Sequence, residues 1–565
     1  GSAGNVHGSG TASGLGLAGR HPENPQPVSD RKNAGGRWRS WIPALVAVLL
    51  TAVLRFALYE PVAWPEAAYF FLLPLLLLPV QELSSRRALL LGWASGFLFW
   101  ASSLIWLRHV TLVGTLLLAA VLGLFLAVWY LAHVRSQRRG LSGLTAALLL
   151  ASLWVVLEWV RGWILWGFPW NPLSVSQASR PAVLALASVT GGWGISFLLV
   201  WTNVALAETL RRWAGARPPR RYLALHRAGP YQVLLPVGIL LGSAVWTVAA
   251  FPGTRTASGG EDGSVRVGFV QPYSTMLREG GSPNANLADL WATTRAVAAA
   301  GPDLLLWPES ATPYPVVGEE RMRRAIEQLV EEVDRPLLMG NLAFPPGEDY
   351  YENAVFLVEP GRGLHPRWYA KRELVPFGEF LPFRAWIPFL EKAVGIGEDA
   401  RPGEGPVLLP FPVPGQGEIG PLVCYEDVFP GLARSNVRAG ADWLFVATNN
   451  VWYGEEAGAP QHAAHAVLRA VETRRPVLRS GIAGWSGWID EWGVARAVTD
   501  AAGSIYFRGG EVLPVRRAPR FAGTLTPYVR YGDWWVGVCG LLLAAGFLRL
   551  RLAGRKTGET GDPPA

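Results

Sequence analysis

The sequence predicts an α-helical membrane bundle of about eight transmembrane helices plus an α/β domain that faces water. Three observations carry this prediction. Half of the 565 residues are hydrophobic and the mean hydropathy is +0.22, both high for a soluble chain of this length. The excess is concentrated before residue 252 and in a short stretch near the C-terminus. Between them, strand-like and helix-like patterns alternate, the signature of an α/β unit.

Residues 1–36 are rich in Gly, Ser, Asn and Pro without an apolar period, and are expected to be disordered. Arg31, Lys32, Arg37 and Arg39 lead into an apolar run with no small-residue cleavage pattern, so no cleavable signal peptide is expected. Residues 37–251 hold seven apolar runs, near 41–59, 66–81, 88–107, 110–134, 143–163, 181–208 and 231–251. An eighth, near 533–549, lies within 531–550. Most reach the roughly 20 residues that a bilayer core requires; the run at 66–81 is short and needs tilt or extension.

Basic residues alternate between loops. Arg86 and Arg87 follow the second run, Arg135, Arg138 and Arg139 the fourth, Arg211 and Arg212 the sixth, and Arg549, Arg551 and Lys556 the eighth. The positive-inside rule then places both termini, including the tail 551–565, in the cytoplasm. It places residues 265–530 outside. The net charge of +8 reflects these loops, and no nucleic-acid motif or partner is expected. Glu158 and Arg161 end the fifth run among Trp159, Trp163, Trp166 and Trp170. Two readings stand: an interfacial anchor in an aromatic belt, or a substrate-facing pair.

Residues 252–264 form a polar, Gly-rich linker. SVRVGFVQP then reads as a strand. A helix is expected at 284–300, a buried strand in PDLLLWPES, a helix at 318–333 and a strand in RPLLMGNLAF. Short strands are expected at 353–359, 406–412 and 418–424. A helix at 429–438, the strand DWLFVATN, the helix HAAHAVLRAVETRR and two further strands, PVLRSG and GVARAVTD, complete the domain.

Three reactive side chains each follow a strand-like run: Glu309 after LLLWP, Lys371 after RWYA and Cys424 after GEIGPLV. Strand ends are where an α/β sheet exposes side chains to a pocket. The two cysteines, Cys424 and Cys539, lie far apart, so no disulfide framework is expected. A cysteine thiol is mostly protonated at neutral pH and needs a base or a cation to become a nucleophile. Glu309 can take its proton. Lys371 can stabilise the thiolate and the oxyanion of a tetrahedral adduct, with the backbone N–H of Tyr425 as a second donor. The trio needs no cofactor and no metal. His462 and His465 read as surface or packing residues.

WPES at 307–310, YAKRELVPFGEF at 369–380 and GPLVCYEDVFP at 420–430 resemble the three signature blocks of the nitrilase superfamily. Within it, these blocks are most similar to the apolipoprotein N-acyltransferase family. The likeness continues through ATNNVWYG at 447–454, 459–480 and the membrane block at 158–177, and covers about 40–550. It implies an αββα sandwich outside the cell's inner membrane. It implies Glu309 as base, Lys371 as electrostatic stabiliser and Cys424 as nucleophile, with Glu379, Tyr425 and Glu426 in support. The implied reaction passes an acyl chain from a phospholipid, through a Cys424 thioester, to the α-amine of a diacylglyceryl-cysteine on a lipoprotein. A monomer in the bilayer is expected.

Two segments stand out beside the trio. FLPFRAWIPFLEKAVGIG at 380–397 is apolar enough to be a membrane-facing arm or lid, and VWYG at 451–454 is a second candidate loop. A tryptophan that the family often places after the first strand is not evident in VQPYSTMLREGG at 270–281. Two alternatives remain open. A membrane-tethered amidase would pass the acyl group to water. A transporter or structural protein would carry an inactive domain, although no inverted hydropathy repeat supports that reading.

Overall fold

The computed structural model describes residues 8, 32–141, 143–215, 231–250, 263–273, 282–384 and 399–559. Most of the 1–36 segment, most of the 252–264 linker, residues 274–281 and the 385–397 part of the apolar arm lie outside them.

The long helices of the first part are α1 (Lys32–Ala57), α2 (Ser85–Ser103), α3 (Leu112–Arg138), α4 (Gly143–Arg161), α5 (Gly192–Trp213) and α6 (Tyr231–Ala250). Among the described residues, α3, α4 and α5 are long and apolar enough to cross a membrane. The apolar stretches Trp41–Ala57 and Trp534–Arg549 are shorter. α1 starts inside the segment expected to be disordered.

The run at 66–81 is not one helix. It breaks into 3-10 turns at Pro65–Tyr69 and Val80–Glu82 around a single α-turn, Leu73–Leu76. Pro74 and Pro79 lack the N–H that a continuous helix would use. Buried Asn203 on α5 satisfies the freed backbone, accepting from Leu72 N at 2.9 Å and donating to Ala68 O at 2.7 Å. The run at 181–208 likewise begins with two short turns, and its long helix starts only at Gly192.

α2 and α3 approach closely through small residues. A Cβ on Gly96 would lie 2.9 Å from Gly123 Cα, and one on Gly123 would lie 2.9 Å from Phe97 N. Such backbone proximity replaces the hydrophobic drive that lipid removes. α3 turns Val113, Leu117, Leu124 and Val128 outward, whereas α5 is buried along most of its length.

The α/β part contains two sheets. The first joins β1 (Val265–Gln271), β2 (Leu304–Trp307), β3 (Leu337–Ala343), β4 (Glu352–Glu359), β5 (Gly363–Leu364), β6 (Tyr369–Ala370) and β13 (Gly509–Val515), in the order β13-β1-β2-β3-β4-β5 with β6 on β4. The second joins β7 (Leu409–Pro410), β8 (Glu418–Val423), β9 (Trp443–Thr448), β10 (Val477–Gly481), β11 (Gly487–Ile489) and β12 (Ala495–Ala497), in the order β12-β11-β10-β9-β8-β7. β1, β2 and β3 run parallel, as do β8, β9 and β10.

Alternation along the strands builds the layers. Leu304, Leu306, Val355 and Leu357 meet Ile419, Val423, Phe445 and Leu478 between the sheets. Leu305, Trp307, Phe356 and Val358 point the other way, onto α7 (Pro283–Ala298) and α8 (Glu320–Val333). α9 (Pro430–Arg438) packs on β8, and α10 (Gly458–Thr473) packs on β10. Each central strand is buried on both faces, so it reads as a continuous apolar run.

β13 and β11 are absent from the sequence expectations. β13 carries Pro514 and two glycines, and it is tolerated because it pairs antiparallel with β1 at the sheet edge. α11 (Trp534–Glu559) ends the described chain and continues into the stretch read as a tail.

Candidate active site

The two sheets deliver the three predicted residues to one place. Glu309 lies two residues beyond β2, Lys371 directly follows β6, and Cys424 directly follows β8. All three are buried, with exposures of 7%, 1% and 7%.

Cys424 has φ +51°, a left-handed conformation that is uncommon for a side chain with a Cβ. It stands at a sharp turn from β8 into the 3-10 helix Cys424–Val428. Glu426 holds this turn. Its Oε2 accepts from Val423 N at 2.7 Å, and its Oε1 accepts from Arg372 N at 2.6 Å and Glu373 N at 3.2 Å. Tyr369 OH donates to the same carboxylate at 2.8 Å. One carboxylate therefore ties the cysteine turn to the lysine loop, and the sheets to each other.

Lys371 Nζ lies 2.8 Å from Glu379 and 3.6 Å from Glu309 Oε1. Asn353 on β4 bridges the two carboxylates, donating to Glu309 Oε1 at 2.7 Å and Glu379 Oε1 at 2.8 Å. Burial works against the Lys371 ammonium, but the carboxylates of Glu379 and Glu309 outweigh it and hold its pKa above the ordinary value. Burial raises the pKa of Glu309, Lys371 opposes that and Glu379 adds to it; the net shift is upward. The Cys424 thiol is pushed up to about 12, first by burial and then by the Glu309 carboxylate. Lys371, the Thr448 hydroxyl and a backbone hydrogen bond from Asn449 pull it back in part. The resting thiol is thus neutral and stands next to a carboxylate of raised basicity. That arrangement suits proton transfer at the moment of attack rather than a standing thiolate.

The loop after α4 roofs the site. Gly167 O accepts from Tyr425 OH at 3.3 Å, and the rings of Phe168 and Trp170 pack against Tyr425. Trp166 packs on Phe380 and Phe383, just beyond the lysine loop. Glu158 and Arg161 shape this roof. Arg161 Nη1 donates to Phe168 O at 3.0 Å and Trp170 O at 2.6 Å, while Glu158 Oε1 accepts from Leu173 N at 2.8 Å. Both side chains are buried, which speaks against the interfacial anchor, one of the two readings of this pair, and their hydrogen bonds hold a loop. Trp163 and Trp166 are exposed, whereas Trp170 is buried.

The histidines are not surface residues. His462 and His465 are fully buried on α10, beside Trp170. Gln461, next to them, joins the helical and α/β parts. Its Oε1 accepts from Trp106, Trp170 and Asn171, and its Nε2 donates to Glu60 O and Ser103 O.

Comparison with known proteins agrees with this architecture. Residues 51–205 match the family described as apolipoprotein N-acyltransferase N-terminal domain, and residues 266–506 match carbon-nitrogen hydrolase. The apolipoprotein N-acyltransferase of Geobacter metallireducens is 33% identical over 510 residues, covering 88% of this chain and 92% of the relative. That of Azotobacter vinelandii is 30% identical over 535 residues, covering 90% and 96%. The chain belongs to the apolipoprotein N-acyltransferase family. Among solved structures, an amidase from Nesterenkonia sp. overlaps with a TM-score of 0.35 and 17% identity, over 49% of this chain and 95% of that one.

Beside the residues that the family motifs flag, the structure adds Asn353, Tyr369 and Arg372 to the site's surroundings. Tyr369 and Arg372 flank Lys371 in the motif YAKRE, so sequence adjacency held a signal. Asn353 carried none, because only the fold of β4 brings it between the two carboxylates.

Proposed function

We propose that this protein is an N-acyltransferase that moves an acyl chain from a phospholipid to the α-amine of a diacylglyceryl-cysteine on an apolipoprotein. The observation that carries the reading is the buried Glu309–Lys371–Cys424 cluster, with Cys424 on a left-handed turn beneath a loop supplied by an apolar helix. Cys424 attacks the acyl ester carbonyl as its proton passes to Glu309. Lys371 stabilises the oxyanion. Collapse expels the lysophospholipid alkoxide, which takes the proton from Glu309, and leaves a Cys424 thioester. The acceptor amine then attacks, Glu309 takes its proton, and the thiolate leaves and takes that proton back from Glu309, which restores the neutral thiol and the carboxylate. Glu379 and Asn353 hold Lys371 and Glu309 in register, while Tyr425 and Glu426 fix the turn.

In this reading the chain crosses the inner membrane eight times, seven times as a long helix and once as the broken run at 66–81, both termini are cytoplasmic and the α/β domain works outside as a monomer. The alternation of basic loops supports that topology. The test is incubation with labelled phospholipid and a diacylated lipopeptide, with mass spectrometry of the Cys424 peptide. An acyl thioester that transfers to the lipopeptide is expected. Release of free fatty acid alone would mean that water is the acceptor. Full activity in Cys424→Ala would remove the assignment.

A further inference from the structure

Thr448 ends β9 beside the nucleophile. Its Oγ1 lies 3.4 Å from Cys424 Sγ and 3.1 Å from the Asn450 side-chain oxygen. A hydroxyl carries one proton, so it donates to the sulfur or to the amide, not to both.

His462 decides between them. Its Nε2 lies 3.2 Å from Cys424 O and 2.8 Å from Asp427 Oδ1. Both neighbours are acceptors, so Nε2 keeps the hydrogen. The other oxygen of Asp427 is paired with Arg479, which fixes the carboxylate as an acceptor. Burial holds the imidazole pKa below its ordinary value, so Nδ1 carries no hydrogen and needs a donor. The group facing Nδ1 is the Asn450 amide, at 3.1 Å.

With its oxygen turned toward both His462 and Thr448, Asn450 leaves its own buried Nδ2 without a partner. An amide's oxygen and nitrogen have nearly the same shape, and the count of donors and acceptors selects between them. Turning the amide over gives one N–H to His462 Nδ1 and the other to Thr448 Oγ1. Thr448 then accepts from Asn450, and its own proton has the Cys424 sulfur as its acceptor.

We infer that Asp427, His462 and Asn450 form a one-way hydrogen-bond chain that aims the Thr448 hydroxyl at the Cys424 sulfur. The inference rests on the reading of Cys424 as the nucleophile. Thr448 stabilises the thiolate as its proton leaves for Glu309, and again when the thiolate leaves the tetrahedral adduct with the acceptor amine. Asn450 and His462 are positioning residues that act through Thr448.

The test uses the full chain in detergent. It follows the rate of Cys424 alkylation by iodoacetamide at one fixed pH of about 8, read on the Cys424 peptide, together with the rate of acyl-thioester formation. Thr448→Val removes the hydroxyl at constant shape. It is expected to slow alkylation at that pH about tenfold, because the thiolate fraction falls with loss of a hydrogen bond to a charged group, and to slow acylation about tenfold. Thr448→Ser restores both. Asn450→Ala slows alkylation by a smaller factor, and that effect vanishes in the Thr448→Val background, because its only route is through Thr448. An unchanged alkylation rate in Thr448→Val, or an Asn450→Ala effect that persists in the double variant, overturns the chain. Should Thr448→Val fail to fold, an alkylation rate in Asn450→Ala equal to that of the parent overturns it instead. Acyl-thioester formation by Cys424→Ala would instead sink the nucleophile assignment, whatever Thr448 does.

Discussion

In the α/β part, Lys371 lies between Glu379 and Glu309, and each charge is answered by another charge. In the helical part, Arg161 and Glu158 make their hydrogen bonds to the backbone of the loop that follows them, while the Glu158 charge also offsets those of Arg161 and Arg55. The difference teaches what each buried charge is for. Charges paired with charges set the acidity of neighbouring groups, and these lie at the reacting atoms. Charges paired with peptide groups set the path of a chain, and these lie beneath the roof. Substitutions that change charge at constant shape should therefore act on chemistry in the first region and on stability alone in the second.

Lys371→Met is the strongest break of the pattern. It leaves two carboxylates facing each other in a buried site, which costs about 3–5 kcal/mol in comparable cases. Thermal unfolding in detergent should fall accordingly, and acyl-thioester formation should disappear. An unfolding temperature equal to that of the parent would mean that the pair is not buried as described.

Glu309→Gln separates acidity from turnover. The Glu309 carboxylate is the second cause, after burial, that raises the Cys424 pKa. A neutral amide removes that negative charge, so the alkylation midpoint of Cys424 should move down. Transfer should nevertheless fall by about 10²–10⁴-fold, because the base is gone. In the parent protein, the base must be ionised to work. Since its pKa is raised, activity should be lost as pH falls at values above the ordinary 4.5. A midpoint that moves up in Glu309→Gln would show that the carboxylate does not face the thiol.

How much of this was legible beforehand follows the same division. Glu309, Lys371 and Cys424 could be read because each follows an apolar, strand-like run, and a strand end has a predictable exposure. The central strands could be read because burial on both faces leaves an unbroken apolar pattern. β13 could not, since Gly509, Gly510 and Pro514 carry turn signals and only pairing with β1 makes them a strand. The run at 66–81 reads as a span because hydropathy does not register where Pro74 and Pro79 cut the hydrogen bonds. Gln461 and Asn353 were invisible because their partners come from distant segments: Gln461 meets Glu60, at a separation of 401 residues. Burial of His462 had a weak signal in the apolar run around it, but its partner Asp427 belongs to another motif.

Two glutamates give the finest test of the comparison. Glu426 uses both oxygens as acceptors, for the N–H groups of Val423, Arg372 and Glu373 and for Tyr369 OH. In Glu426→Gln, one end of the amide must turn N–H donors toward donors. The variant should lose about 1–3 kcal/mol, and transfer should fall with it because the cysteine turn and the lysine loop share this one carboxylate. Glu158 uses one oxygen, for Leu173 N, and its buried Oε2 has no partner. In Glu158→Gln the remaining oxygen still accepts from Leu173, but the negative charge that offsets the buried Arg161 and Arg55 is lost. The expected loss of stability is about 1–3 kcal/mol, with transfer per folded molecule unchanged. A loss of transfer per folded molecule in Glu158→Gln as large as that in Glu426→Gln would mean that the negative charge itself is required for the chemistry, and the division between charges that do chemistry and charges that shape a loop would fail at Glu158.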